Sequence, residues 1–403
     1  MKIDNFGGVS DSIPSLDFAE KCAYLFDENN YPIIIIFPRN GGGNPIIGYN
    51  IIELINPYIL TRNILRIKKD VNMTVFIDEY NENDLFIELN STNKLKGEYI
   101  KDSFIKENYG NKIEEFSKPF CWKINQKKIE QIKKKLKHKR KPNEIVIFTD
   151  GFALSAASSF MKNAYKSGAG IIIGYNGNPN LSDDIFDISQ SPTAVGGINF
   201  YKNIYSEIYN NCINYPICLY GISCMATFHE FQESHIPQEY DFQNPDERMK
   251  FYNQYDDTYY QEFINEGIKV LNKYKENCNP KHEMLVLLSD ECKFDGHKHG
   301  GYKCGNDYKW NKSHCIPVYC DTGYYYNKIS KSCIKYPMDN DKLIMIIIIC
   351  SAVGFIIICF IVVFIMYKQK VLCFKKEMKK KDTKRSDSKD CEYFLDEDNE
   401  EEK

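Results

Sequence analysis

The chain has 403 residues, of which 43% are hydrophobic and 27% are charged. This composition suits folded domains with a sizeable core and excludes a chain that is disordered throughout. The formal net charge is −3, and the lysine-rich stretch 123–141 has no interleaved aromatic residues after Trp122. We therefore expect no nucleic acid as a partner.

Residues 1–240 alternate between apolar runs and stretches of helical pattern. The runs "IIIIF" at 33–37, "IVIF" at 145–148 and "IIIG" at 171–174 are continuous rather than alternating, and are rich in β-branched residues. Continuous apolar runs are typical of strands that are covered on both faces. Because strands and helices alternate, the pattern predicts an α/β domain with a largely parallel sheet.

Two loops follow apolar strands in this domain. The first is "FPRNGGGNP", Phe37–Pro45, in which three glycines allow close approach of the backbone to a bound atom. The second is "TDGFALSAASSF", Thr149–Phe160, a small-residue turn that leads into a helix and holds Ser155. Ligands of open α/β sheets bind beyond the carboxyl ends of the strands, where both loops would lie.

These two loops together resemble the tail-specific, or C-terminal processing, serine peptidases. In that family one strand ends in an Asn-Gly-Gly loop, which "RNGGG" matches, and a later strand ends in a small-residue turn that carries the nucleophile. A glycine is expected 19 residues after the serine, and Gly174 stands there. The resemblance covers residues 1–240 and implies a crotonase-like α/β peptidase core whose N-terminal part is missing.

The resemblance implies a role for four residues. Ser155 would be the nucleophile, and backbone amides of Ala156 and of Gly42 or Gly43 would form the oxyanion hole. A serine hydroxyl needs a base to become a good nucleophile at neutral pH. We expect a protein or peptide substrate, no cofactor and no metal.

The base is where this chain departs from the family. The processing peptidases carry a lysine 25 residues after the serine, and Asn180, which cannot accept a proton, occupies that position here. One branch of the family uses an upstream histidine instead, yet no histidine precedes His138. His229 and His235 remain as weak candidates, so the base is left open.

Residues 241–277 form an aromatic and acidic connector that ends in an amphipathic helix. A cysteine-rich module follows at 278–335, and its density of cysteines predicts a disulfide framework, with zinc binding as the less favoured alternative because no tight C-x-x-C pair occurs. The cysteines are Cys278, Cys292, Cys304, Cys315, Cys320 and Cys333. Four N-x-[ST] sequons predict glycosylation at Asn72, Asn90, Asn180 and Asn311.

Leu343–Met366 is an uninterrupted apolar run of 24 residues, longer than the ~20 that a membrane-spanning helix needs. Lysines follow it directly, which predicts a cytoplasmic C-terminus with the charged tail at 367–403 and an extracellular or lumenal N-terminal part. The start "MKIDNFGGVSDS" has no apolar leader. We therefore expect the sequence to begin inside a longer gene product.

The sequence thus predicts a serine-peptidase-like ectodomain on a single-pass membrane protein, which would contact the membrane through residues 343–366. Two alternatives stay open. The chain could be a catalytically inactive receptor or adhesion protein that keeps the peptidase fold as a binding scaffold. It could also be an ester hydrolase that shares Ser155 but has a different pocket.

Overall fold

The structure is a computed structural model, and it forms two compact units, Met1–Pro337 and Met338–Lys403. The residues it describes are 1–6, 15–58, 64–69, 86–88, 95–96, 104–109, 112–175, 186–192, 195–197, 210, 223–225, 228–231, 234–250, 259–321, 324–327, 330–335, 351 and 354–368.

Five described helices belong to the first unit. They are α1 (Ser15–Asp27), α2 (Pro45–Ile55), α3 (Gln126–Lys135), α4 (Ala156–Ser167) and α5 (Tyr259–Lys273). Side chains cap two of them, since Asn44 accepts a hydrogen bond from the Ile46 amide and Asn125 accepts one from the Lys128 amide. Two short 3₁₀ helices lie at Pro142–Glu144 and Gln238–Tyr240.

The three longest described strands follow residue 280. The first nine are β1 (Ile33–Phe37), β2 (Ile64–Arg66), β3 (Phe86–Glu88), β4 (Ile105–Tyr109), β5 (Lys112–Phe116), β6 (Phe120–Trp122), β7 (Ile145–Thr149), β8 (Ile171–Gly174) and β9 (Val195–Gly197). The others are β10 (Ser223–Met225), β11 (Phe228–Phe231), β12 (Ser234–Pro237), β13 (Glu247–Arg248), β14 (Leu287–Phe294), β15 (Lys298–Cys304), β16 (Trp310–Cys320), β17 (Tyr324–Asn327) and β18 (Ser332–Lys335).

The central sheet has the order β1-β7-β8-β13, and all three strand pairs are parallel. Its first three strands, β1, β7 and β8, are the isoleucine-rich runs of the sequence, and β7 and β8 are buried along their whole length. The carboxyl ends of β1 and β7 meet at one edge, where Phe37 is the register partner of Thr149. The α/β class of the first unit therefore agrees with the sequence pattern.

Helices cover both faces of this sheet, which explains why β1, β7 and β8 are apolar at almost every position. On one face, Ile35 and Ile147 pack into a cluster with α1, α2 and α4. On the other, Phe148 packs edge-on against Phe263 of α5, with the two ring centroids 4.8 Å apart.

A second sheet has the order β12-β11-β2-β6-β3, and its pairs are antiparallel. Three two-stranded sheets, β4-β5, β9-β10 and β17-β18, are also present in the part described.

The cysteine-rich segment forms the antiparallel sheet β14-β15-β16 and the β17-β18 hairpin. The expected disulfide bonds are present, and they join Cys278 to Cys304, Cys292 to Cys315 and Cys320 to Cys333. Cys278, Cys292 and Trp310 belong to the same buried cluster as the second face of the central sheet. The segment is therefore packed into the core of the first unit.

The close contact between the cysteine-rich segment and the end of α4 requires a glycine at residue 168. Gly168 ends α4 in the left-handed conformation with φ 67°. A Cβ at residue 168 would lie 2.0 Å from the carbonyl oxygen of Met284. Only glycine lets the two backbones approach this closely.

The prediction of a membrane-spanning helix at Leu343–Met366 is wrong for the part of the chain that the structure describes. There, no helix combines enough length with enough apolar character to cross a bilayer. The predicted single-pass membrane topology depended on this helix and is therefore corrected as well.

Of the four predicted glycosylation sites, Asn311 is described. It is exposed on β16, and its side-chain oxygen accepts hydrogen bonds from the amide and hydroxyl of Ser313. Asn72, Asn90 and Asn180 lie outside the described residues.

Candidate active site

Ser155 stands between β7 and α4 in a strained backbone conformation. Its φ and ψ are 54° and −125°, a region that residues with a Cβ rarely adopt and that costs of order 1–3 kcal/mol. Although Ser155 is the N-cap residue of α4, its side chain makes no capping hydrogen bond. Within the described part of the chain, no hydrogen bond engages the Ser155 hydroxyl, so the strain is not explained by helix capping.

The glycine loop packs directly against this serine. Gly42 has φ 101°, and a Cβ added there would lie 2.7 Å from the Leu154 carbonyl oxygen, 2.8 Å from the Ser155 Cβ and 3.0 Å from the Ala156 nitrogen. Real Cβ atoms do not make backbone contacts this short. The loop after β1 can therefore touch the turn after β7 only if residue 42 is glycine.

Asn40 holds the glycine loop in place from within. It is fully buried, and its side-chain oxygen accepts a hydrogen bond from the Gly42 amide at 2.9 Å while its side-chain nitrogen donates to the Ile3 carbonyl at 3.0 Å. Its backbone carbonyl accepts a hydrogen bond from the Leu154 amide at 2.9 Å. One residue therefore fixes the loop and ties it to the serine turn.

Asp150 makes a second tie between the same two loops. Its carboxylate accepts hydrogen bonds from the amides of Arg39 at 2.7 Å and of Phe152 at 2.9 Å. Burial raises the pKa of Asp150 above its ordinary value, and the two backbone hydrogen bonds partly offset that effect. From its place directly after a buried strand, the sequence indicated that Asp150 could orient the loop, with a cap at the strand end as the alternative.

The segment 186–192 closes the other side of the turn. The Ser155 amide donates to the Ser191 carbonyl at 2.8 Å, and the Gln190 amide donates to the Ala153 carbonyl at 2.8 Å. The turn is thus held between two segments that are distant in sequence, which supports the strained conformation of Ser155.

The three backbone amides predicted for the oxyanion hole have different surroundings. The Gly42 amide already donates to Asn40. Gly43 forms a parallel bridge with Phe6 that uses the Gly42 carbonyl and the Asn44 amide, so the Gly43 amide takes no part in that bridge. The Ala156 amide is at the first residue of α4, where the helix dipole favours negative charge.

Lys162 is a buried lysine on α4 that sequence analysis did not single out. Its side chain is 1% exposed, and its ammonium donates to both carboxylate oxygens of Asp187 and to the Asp241 carbonyl. Desolvation lowers the pKa of Lys162, against the opposing effect of Asp187. Because all three ammonium protons are engaged, this lysine is not placed to act on Ser155.

The histidines proposed as weak base candidates lie on another sheet. His229 belongs to β11 and His235 to β12, and both strands are part of the five-stranded antiparallel sheet. Asn180, at the position of the family lysine, lies outside the described residues.

His282 has a structural position that its sequence spacing did not reveal. It is fully buried, its Nδ1 lies 2.9 Å from both oxygens of Asp246, and its Nε2 donates to the Tyr165 carbonyl at 2.7 Å. Its ring also stacks on the Tyr165 ring with centroids 4.0 Å apart. His282 therefore joins the cysteine-rich segment to α4 and to the segment before β13.

No family model matches the chain, and no curated protein matches it. Among solved structures, the chain is similar to the chlamydial serine protease CPAF in its mature form, with 13% identity and a TM-score of 0.40 over 68% of this chain and 50% of that chain. The structure of mature CPAF complexed with lactacystin gives 14% identity and a TM-score of 0.39 over 68% and 51%. The chain spans about half the length of these structures.

Proposed function

We propose that the chain is a serine-peptidase-like hydrolase in which Ser155 is the nucleophile. One observation carries the proposal: Ser155 holds a strained backbone conformation at a strand-to-helix turn, and Gly42 packs against it where no larger residue fits. Strain of this kind persists only where the surroundings enforce it, and it concentrates at functional sites. The similarity to mature CPAF is distant, so the assignment depends on this local geometry.

The proposed chemistry follows from the groups around Ser155. Its hydroxyl oxygen would attack a carbonyl carbon, and the carbonyl oxygen that becomes negative would receive hydrogen bonds from the amides of Ala156 and Gly43. Each such donor is worth on the order of 3 kcal/mol in serine hydrolases. The hydroxyl proton would pass to a base outside the described residues, since none of the described side chains hydrogen-bonds the hydroxyl.

A non-catalytic binding scaffold is the second candidate, and a specific observation favours it. The buried amine of Lys162 is fully engaged by Asp187 and Asp241, and the imidazole of His282 is fully engaged by Asp246 and Tyr165. A scaffold could keep the turn and the glycine loop while lacking a base. We rank the hydrolase first because the strained conformation of Ser155 destabilises the fold, and a binding scaffold would not need it.

A fluorophosphonate probe tests the proposal, because it reacts with activated serines and leaves ordinary hydroxyls untouched. The full-length protein, made under oxidising conditions, is compared with Ser155→Ala. Ser167→Ala is the matched control, since Ser167 is at the opposite end of the same helix and bonds to the Asn163 carbonyl. Labelling that is lost in Ser155→Ala and kept in Ser167→Ala supports a hydrolase.

Absence of labelling in all three proteins supports the scaffold instead. If labelling occurs, hydrolysis of p-nitrophenyl acetate and of internally quenched peptides separates the two hydrolase types. We expect cleavage of peptides, and turnover of the ester alone would favour the ester hydrolase.

A further inference from the structure

Residues 1–6 run beside β1 along the edge that faces away from β7. The Ile3 amide donates to the Ile36 carbonyl at 2.9 Å, and the Ile36 amide donates to the Met1 carbonyl at 2.9 Å. Lys2 and Ile36 are therefore parallel bridge partners. Because β1 pairs with β7 along its other edge, this N-terminal segment and the turn that follows β7 lie on opposite sides of β1.

The N-terminal segment continues to the glycine loop, which it contacts through Phe6. The Phe6 amide donates to the Gly42 carbonyl at 2.7 Å, and the Phe6 carbonyl accepts a hydrogen bond from the Asn44 amide at 3.2 Å. Gly43 lies between these two held groups. In a trans peptide unit the carbonyl and the N–H point in opposite directions. Because the Gly42 carbonyl points toward Phe6, the Gly43 N–H of the same peptide unit points away from Phe6.

The Gly43 N–H is thereby directed to the side of the loop on which the serine turn lies. Gly42 packs against that turn so closely that a Cβ at residue 42 would lie 2.8 Å from the Ser155 Cβ. Gly43 itself is exposed, and among the described residues no hydrogen bond engages its amide. This N–H is therefore open to a substrate atom on the serine side of the loop.

The Phe6 side chain anchors this arrangement in the core. It is 3% exposed, and its ring centroid lies 5.9 Å from that of Phe37 and 5.8 Å from that of Phe160. Phe37 is the last residue of β1, and Phe160 belongs to α4, the helix that begins after Ser155. One buried ring thus fixes the backbone of residue 6 relative to both elements that carry the candidate site.

We propose that Phe6 is a positioning residue, which holds the Gly43 amide in place as a donor of the oxyanion hole. The inference rests on the proposed function of Ser155. Phe6 touches no reacting atom, and it acts by binding the Gly42 carbonyl, so that the N–H of the same peptide unit is oriented before a substrate binds. A donor that is aimed in advance stabilises the negative oxygen of the transition state without reorganisation.

The kinetics of fluorophosphonate labelling test this role in the full-length protein, because the phosphonate oxygen gains negative charge as the serine attacks. Two quantities are measured: the rate constant at saturating probe and the probe concentration that gives half of that rate. We expect Phe6→Ala to lower the saturating rate constant about tenfold, as part of the loss that follows removal of a donor. The half-saturating concentration should stay within about twofold of the parent value, because the donor acts in the transition state.

Further variants separate positioning from a general loss of stability. Phe6→Leu keeps an apolar anchor and should label within about twofold of the parent rate constant, and Phe6→Val should label at an intermediate rate if Phe6→Ala does not fold. Ile129→Ala is the matched control, because Ile129 is a fully buried residue of α3 in the same hydrophobic cluster as Phe6. Its truncation destabilises the core to a similar extent, but the rate constant of labelling should not change.

Partial unfolding lowers the fraction of protein that labels and leaves the rate constant of the folded fraction unchanged, and urea unfolding of each variant gives that fraction independently. The proposal is overturned if Phe6→Ala or Phe6→Val labels at the parent rate constant, or if Ile129→Ala slows labelling equally. It is also overturned if only the half-saturating concentration changes. If the parent is not labelled, the proposal for Ser155 fails and this inference fails with it, whereas a labelled parent with an unaffected Phe6 variant removes the role of Phe6 alone.

Discussion

Gly42 lies so close to Ser155 that a Cβ at residue 42 would be 2.8 Å from the Cβ of the serine. Gly42→Ala should therefore destabilise the protein by about 2 to 5 kcal/mol, through positive φ and overpacking together. Gly41→Ala is the matched control, since a Cβ at residue 41 meets nothing within 4 Å. Urea unfolding measures both, and equal losses in the two variants would contradict the close packing of residue 42.

Ser155 stores strain that glycine would release. Ser155→Gly and Ser155→Ala both remove the hydroxyl, but only glycine adopts a φ of 54° without cost. We expect Ser155→Gly to be more stable than Ser155→Ala by about 1 to 2 kcal/mol. Chemical denaturation of the two variants gives this difference directly. If the alanine variant is the more stable one, the serine is not strained.

Asp150 should make stability depend on pH. Burial raises its folded-state pKa above the unfolded value, so between these two values the folded protein binds more protons than the unfolded chain. Stability must then fall as the pH rises through that window, which begins near pH 4. The difference in unfolding free energy between the parent and Asp150→Asn should shrink as the pH rises above about 4. A difference that grows with pH would contradict the direction of the shift.

Removal of only one partner of the ion pair between Lys162 and Asp187 should destabilise the protein. Lys162→Met leaves a largely buried carboxylate without its partner, and we expect a loss of about 3 kcal/mol. Lys162→Met combined with Asp187→Leu should lose less than the sum of the single changes, which a double-mutant cycle by urea unfolding measures.

The exposed pair of Lys269 and Glu266 provides the control for this cycle. The Lys269 side chain is 75% exposed, so Lys269→Met should cost less than about 1 kcal/mol. Additive effects of the Lys162 and Asp187 changes would mean that the two side chains do not interact.

The disulfides should contribute unequally to stability. The Cys278–Cys304 bond closes a 26-residue separation and Cys278 belongs to the core, whereas the Cys320–Cys333 bond closes 13 residues and is less buried. Loop entropy alone makes the first bond worth about 0.6 kcal/mol more. We expect paired serine substitutions to show a larger loss for Cys278 and Cys304, because core packing adds to this term. Thermal unfolding at matched redox conditions measures both.

The sequence by itself determined the elements around the candidate site. Continuous isoleucine runs predicted strands buried on both faces, and β1, β7 and β8 are such strands. Glycines after one strand and small residues after another predicted two loops at a common edge. These signals are local, because side-chain periodicity and backbone freedom act within a few residues. The density of cysteines likewise predicted disulfides without their connectivity.

Only the tertiary structure decided how those elements meet. Asn40 and Asp150 tie the two loops across 111 to 114 positions of sequence, and neither tie leaves a periodic pattern. The sequence assigned no role to His282, which the fold buries beside Asp246. The apolar run at 343–366 predicted a membrane-spanning helix, yet among the described residues no helix is long and apolar enough to cross a bilayer. Composition fixes a preference for apolar surroundings, whereas the partners of a buried polar group depend on contacts between residues distant in sequence.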